Sequence, residues 1–205
     1  MKKIIGIPVV LYILFALIYE YNKGPEEPKS TYVQELNAQY YIKEYSLARK
    51  NAAVQEMFRT GVPASITLAQ AILESKYGQS ELATKANNHF GIKCGKSWIG
   101  DRYCIHSNEW DSKKNGMVKR LGCFRSYNSL NESFKDHSDF LRASDRYAPL
   151  FEFSTTNYKS WAEGLQKAGY ATDPKYAKKL ISLIERYELN QYDVALLEQD
   201  HQLVN

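Results

Sequence analysis

Apolar and aromatic positions recur at helical spacing across residues 32–59, at Tyr41, Tyr45, Ala48, Ala52 and Met57, and Thr60-Gly61 closes the run as a helix stop. A second helix is predicted directly after it. Pro63 suits a first helical position, where a missing N–H costs nothing, and ASITLAQAILESKYG continues to Gly78, read as a C′ glycine. Ser80 then caps a short helix, SELATKAN, ending near Asn87. Over residues 89–125 the period changes to short mixed alternation in FGIKC, DRYCIHSNEWD and MVKRLGCFR. These runs are separated by Gly95-Lys96-Ser97 and Lys114-Asn115-Gly116, and Asn-Gly between two such runs signals a hairpin. Helical spacing returns over residues 129–144, where Ser129 and Glu132 fit a capping box, then over 158–168, and from Asp173-Pro174 to about Leu189. The pattern predicts an α+β body, mostly helical with one small inserted sheet.

The first segment obeys a different rule. Lys2-Lys3 precede sixteen residues without a charge, IIGIPVVLYILFALIY (4–19), and Glu20 follows. As a helix rising roughly 1.5 Å per residue, the run spans about 24 Å against a bilayer core of about 30 Å, with Tyr12, Tyr19 and Tyr21 able to extend it into the interface. FALIYEYNKG offers no small-residue cleavage site, so residues 1–22 read as an N-terminal membrane helix acting as a signal-anchor, a cleaved signal peptide being the alternative. N-terminal cations held in the cytoplasm would place the body outside the inner leaflet, in the cell envelope, or secreted if the signal is cleaved. The Pro- and charge-rich NKGPEEPKS (22–30) marks a linker, taken as residues 23–36, with 37–190 read as the functional domain and 191–205 as a tail.

Composition narrows the class. With 44% hydrophobic residues, 11 Gly and 6 Pro in 205 residues, disorder and collagen are excluded, and 16 Tyr, 8 Phe and 3 Trp supply both a core and ligand platforms. A net charge of +4 is too mild for a nucleic-acid footprint. Cys94, Cys104 and Cys123 all fall in or beside the sheet, which in an exported chain suggests one bridge and one spare thiol, with all three pairings open. Without C-x-x-C spacing or a His pair, no metal is expected, and no cofactor is implied.

Glu74 is the informative carboxylate. It stands near the end of an apolar helix behind Ala71, Ile72 and Leu73, and apolar walls disfavour the charged form, raising the pKa toward the range of a general acid. The run GVPASITLAQAILESKYGQSELATKANNHFGIK, with FRSYNSLNESFKDHSDFL and AGYATDPKYA, resembles glycoside hydrolase family 73, the bacterial N-acetylglucosaminidases of peptidoglycan, over about residues 37–190.

The resemblance implies a lysozyme-like fold, a helical lobe and a small β-hairpin lobe with the glycan between them, cleaving the β-1,4 bond after N-acetylglucosamine. Glu74 falls on the family's general acid. Its second carboxylate is best matched by Glu109 in SNEWD, with Asp111 and Asp101 as substitutes. Tyr170 falls on a tyrosine that steadies the developing positive charge. Asn88 and Phe90 in NNHFGIK border the groove as substrate-binding residues, and Trp98 and Trp110 are sugar-stacking platforms. Trp161 reads as core, Tyr176 as packing, Asp173 before Pro174 as an N-cap, and Asp136, His137 and Asp139 as capping and packing. An inverting, a retaining or a substrate-assisted route stays open. Competing readings are a muramidase or lytic transglycosylase using Glu74 alone, and a non-catalytic wall-binding module. The expected partners are peptidoglycan strands and, through the N-terminal helix, the membrane, with no nucleic acid; the sequence leaves the oligomeric state open.

Overall fold

The computed structural model describes residues 30–111 and 116–194. The membrane-helix expectation for residues 1–22 lies outside them; among the described residues no helix is long and apolar enough to cross a membrane. Helix α1, Ser30–Thr60, is the first element of the described residues. Residues 30–39 form a unit by themselves, largely exposed, and the body begins at Tyr40.

Within the body, α1 buries Ile42, Tyr45, Ala53 and Met57. The stripe is rotated from the expected one, because Tyr41 and Ala48 are exposed. Tyr41 instead stacks at the surface on Tyr77, ring centroids 6.1 Å apart, using an amphipathic ring where the pattern suggested core.

Helix α2, Ala64–Ser75, is the central element, with ten of its twelve residues buried. Its small residues Ala64, Ala69 and Ala71 let neighbouring elements approach closely. Pro63 sits one position earlier than expected, at the N-cap, where it offers no side-chain cap. Asp193 takes over that role: its carboxylate accepts from the Ser65 N–H at 2.8 Å and from the Ser65 hydroxyl. A buried helix start is thereby satisfied from the far end of the chain.

α2 ends at Ser75, three residues before the expected Gly78. Lys76, Tyr77 and Gly78 follow with φ of 51°, 46° and 82°. A Cβ on Gly78 would meet Tyr45 Cε2 at 2.8 Å, so backbone conformation and close approach both require glycine there.

Helix α3, Glu81–Ala86, is capped as expected by Ser80, which accepts from Ala83 N–H at 3.2 Å. Strands β1, Arg102–Asp111, and β2, Gly116–Arg125, form the expected hairpin, an antiparallel ribbon without a bulge from Arg102↔Arg125 to Asp111↔Gly116. Cys104 and Cys123, opposite each other in the ladder, form the disulfide, leaving Cys94 as the free thiol.

Three further α-helices and two 3₁₀ helices complete the described body. Helix α4, Leu130–Arg142, starts at Ser129, whose hydroxyl accepts from Glu132 N–H, and a 3₁₀ helix spans Asp145–Glu152. Helix α5 is Tyr158–Lys167, α6 is Tyr176–Arg186, and a second 3₁₀ helix is Leu189–Val194. α6 is shorter at both ends than expected. Asp173 accepts from Lys175 N–H at 2.8 Å, closing a turn over Pro174 before the helix begins. Phe134, Trp161, Leu165, Leu180 and Ile184 are fully buried around α2, confirming Trp161 as core.

Candidate active site

The sequence places one carboxylate at the C-terminal end of the most buried helix. Glu74 is the penultimate residue of α2, where the negative end of the helix dipole disfavours its ionised form. An open cleft of about 500 Å³ lies over it, lined by Phe90, Ile92, Lys93, Tyr147 and Tyr170. Glu74 is reached by solvent, yet the surrounding walls remove enough water to raise its pKa above 4.5; a hydrogen bond from Tyr176 and the charge of Lys179 act in the opposite direction.

The left-handed run after Glu74 fixes its position. The Ser75 hydroxyl donates to Ala71 O and accepts from Gly78 N–H, while Tyr77 N–H bonds Ile72 O at 2.8 Å. Two non-glycine residues at positive φ beside the carboxylate concentrate backbone strain there.

The predicted site residues have different fates. Tyr170 and Phe90 share the cleft with Glu74. Tyr170 stacks on Tyr176 at 5.6 Å, and burial and then the charge of Glu74 hold its pKa well above the ordinary tyrosine value. Phe90 stacks on the His137 ring at 3.9 Å.

Asn88 does not border the cleft. It is buried, its amide nitrogen donates to Ile92 O and Arg125 O, and its amide oxygen accepts from Phe90 and Ile92 N–H. Its amide joins the helical lobe to the ribbon. Trp98 lies outside the cleft lining: Arg125 sits 4.6 Å over its ring, Tyr127 meets it edge-on, and its Nε1–H donates to Asp101 O. Glu109 occupies β1 opposite Val118, and Trp110 lies opposite Met117; both side chains lie outside the described residues, as does that of Asp111.

Asp136 pairs with Arg125 and accepts from Tyr127, while Asp139 pairs with Arg59 and Lys135, so both have structural roles. Asp136–Arg125 and Asp139–Arg59 are ion pairs between elements and Asp139–Lys135 is one within α4, so neither carboxylate acts as a cap.

Sequence reading missed the closest partner of Glu74. Tyr176, expected only to pack, donates to Glu74 Oε1 at 2.9 Å. Gln70 Nε2 donates to the Tyr176 oxygen at 3.0 Å, and Gln70 Oε1 faces His137 Nε2 at 3.1 Å. The available signal was a glutamine four residues before Glu74, hence on the same helix face, in an otherwise apolar run. Arg146, which also lines the cleft, gave no periodic signal.

A carboxyl of raised pKa at the end of a buried helix, in an open cleft lined by the helical body and residues 90–93, belongs to a mostly helical α+β body with one small disulfide-bridged ribbon, a lysozyme-like arrangement. The family model for mannosyl-glycoprotein endo-beta-N-acetylglucosaminidase matches residues 50–189, and the chain belongs to this glucosaminidase family, as the resemblance to glycoside hydrolase family 73 implied. It is 36% identical over 195 residues to the exo-glucosaminidase LytG of Bacillus subtilis, covering 93% of this chain. It is 37% identical over 137 residues to the peptidoglycan hydrolase FlgJ of Pseudomonas aeruginosa, covering 65% of this chain. The chain spans less than two thirds of the length of these curated relatives, 64% of LytG and 34% of FlgJ. Among solved structures, the catalytic domain of the autolysin Auto from Listeria monocytogenes matches with TM-score 0.66 and 25% identity, over 93% of this chain and 99% of that one. A mutant peptidoglycan hydrolase from Sphingomonas sp. A1 matches with TM-score 0.63 and 32% identity, over 73% and 97%.

Proposed function

We propose that this chain hydrolyses the β-1,4 bond after N-acetylglucosamine in the glycan strands of peptidoglycan. The observation that carries the reading is Glu74, raised in pKa at the floor of an aromatic-walled cleft and within hydrogen-bond reach of Tyr176. In its neutral form Glu74 donates a proton to the glycosidic oxygen as the C1–O bond breaks. Glu109, carried on the ribbon, is the second carboxylate; ionised, it takes a proton from the water that adds to C1. Tyr170 presents its ring and hydroxyl to the developing positive charge.

Phe90 and Tyr147 offer apolar surface to the sugar faces, Trp110 on the ribbon is a further stacking platform, and Trp98, whose ring Arg125 covers, supports the ribbon from outside the cleft. Lys93 and Arg146 in the cleft suit a polymer that bears carboxylates. Asn88 serves indirectly, by holding the turn that carries Phe90. Residues 37–190 form the catalytic domain, and residues 1–22 tether it to the membrane at the cell envelope.

The test is digestion of purified peptidoglycan by the full chain and by Glu74→Gln, with borohydride reduction and mass spectrometry of the new ends. Reduced N-acetylglucosamine ends, lost in the variant, are expected. Muramic or anhydromuramic ends would reassign the bond, and binding without release in the wild type would make the chain a wall-binding module. Release of monosaccharide alone would mark an exo-acting enzyme, the mode named for LytG.

A further inference from the structure

Behind Glu74 lies a row of polar groups to which the reaction above gives no role. Gln70 and His137 are fully buried. The row runs His137 Nε2 to Gln70 Oε1 at 3.1 Å, Gln70 Nε2 to Tyr176 Oη at 3.0 Å, and Tyr176 Oη to Glu74 Oε1 at 2.9 Å. It can be polarised in two directions. Toward the glutamate, His137 Nε2–H donates to Gln70, the Gln70 amide donates to Tyr176, and Tyr176 donates to Glu74. Away from it, the Glu74 proton points at Tyr176, Tyr176 donates to a flipped Gln70 amide, and Gln70 donates to His137 Nε2, which forces the ring proton onto Nδ1.

The surroundings of His137 decide between these directions. Nδ1 is buried and has no hydrogen-bond partner among the described residues. A buried N–H without an acceptor is costlier than a buried lone pair without a donor, so the proton belongs on Nε2. Protonating both nitrogens is opposed by burial, which lowers the His137 pKa to about 3.

We propose that His137 and Gln70 are positioning residues that polarise the row toward Glu74, holding Oε1 as an acceptor so that the transferable proton sits on Oε2. This inference rests on Glu74 being the general acid. The other titratable and charged groups around Glu74 are Lys179 on α6, Tyr170 in the preceding loop and, across the cleft, Tyr147, Arg146 and Lys93. Around His137, Tyr170 meets the ring edge-on.

Donation to Oε1 favours the ionised carboxyl, so losing it raises the Glu74 pKa and moves the alkaline limb of kcat to higher pH. The test compares kcat–pH profiles on peptidoglycan for Gln70→Met, His137→Phe, Tyr176→Phe and the Gln70→Met/Tyr176→Phe double variant. Each single change is expected to shift the alkaline limb up by roughly half to one unit, the size of one hydrogen bond, with KM unchanged. The double variant should shift no further than Tyr176→Phe alone. A folded Gln70→Met enzyme with the wild-type limb, or additive shifts in the double variant, would overturn the proposal. The ¹⁵N shifts of His137 in the wild-type chain test it without any substitution: a proton on Nε2 is expected, and one on Nδ1 overturns it. Glu74→Gln tests the acid assignment separately, so an unmoved limb alongside an inactive Glu74→Gln counts against the row alone.

Discussion

Two demands meet at Glu74 and pull in opposite directions. A general acid must keep its proton near neutral pH, whereas at that pH a folded protein loses stability for every carboxyl that ionises less readily than in the unfolded chain. The raised pKa of Glu74 means that the folded state binds its proton more tightly than the unfolded state. The stability gained from that proton is complete below the unfolded value near 4.5 and is lost as pH rises through the folded value. Glu74→Gln removes the ionisable group while keeping an oxygen for Tyr176 to bond. The variant is therefore expected to melt above the wild type at pH 7, with the difference shrinking as pH falls through the raised folded value and gone below about 4.5. Calorimetry at both pH values checks this, and equal melting temperatures at pH 7 would show that the cleft imposes no cost on the charge. Lys179 provides a second control. Its charge lowers the Glu74 pKa, so Lys179→Gln should raise the alkaline limb of activity, by less at high salt, where the exposed ammonium is screened.

Among the elements, α2 decides the site, and its two ends illustrate what a sequence discloses. The start was legible to one residue: Pro63 occupies the N-cap, beside the expected first position. The acceptor that completes this end was not legible, since Asp193 lies 128 positions away and local capping rules do not reach that far. Ser65 is fully buried, so Asp193→Ala leaves its N–H and hydroxyl without a partner. Such a loss costs about 1–3 kcal/mol, read as a lower urea midpoint at unchanged m, with Asp193→Asn recovering part of it. An unchanged midpoint would mean that water caps the helix as well as the carboxylate does. At the other end, glycine was the visible stop signal, but the turn begins at Lys76, because Ser75 and the Tyr41–Tyr77 stack hold two ordinary residues in left-handed backbone. That Glu74 and Tyr170 share one cleft was legible from motif, whereas the Tyr176–Glu74 bond was not, because periodicity marks a tyrosine as buried without saying which way its hydroxyl points.

For the whole molecule, the question is how a ribbon of only two strands serves a rigid helical body. An isolated hairpin is marginally stable; the Cys104–Cys123 bridge ties its two strands to each other, while the Asn88 amide and the Arg125–Asp136 pair hold the ribbon against the helices. The core around α2 draws on none of these, because Phe134, Trp161, Leu165 and Leu180 pack without ribbon residues. Stability should therefore divide by lobe, with ribbon amides exchanging by local opening and α2 amides only by global unfolding. A Cys104→Ser/Cys123→Ser variant is expected to speed exchange in β1 and β2 while leaving α2 protected. The same loosening bears on catalysis if the ribbon carries the second carboxylate. Glu109→Gln should then lower kcat by about 10²–10⁴-fold, and the unbridged variant should lower kcat by a smaller factor with α2 intact. Full activity in Glu109→Gln would remove the base from that position and leave Asp101 and Asp111 to be tested in turn. Full activity in the unbridged variant beside an inactive Glu109→Gln would show that cross-strand pairing and the Asn88 and Asp136 contacts position the ribbon without the disulfide.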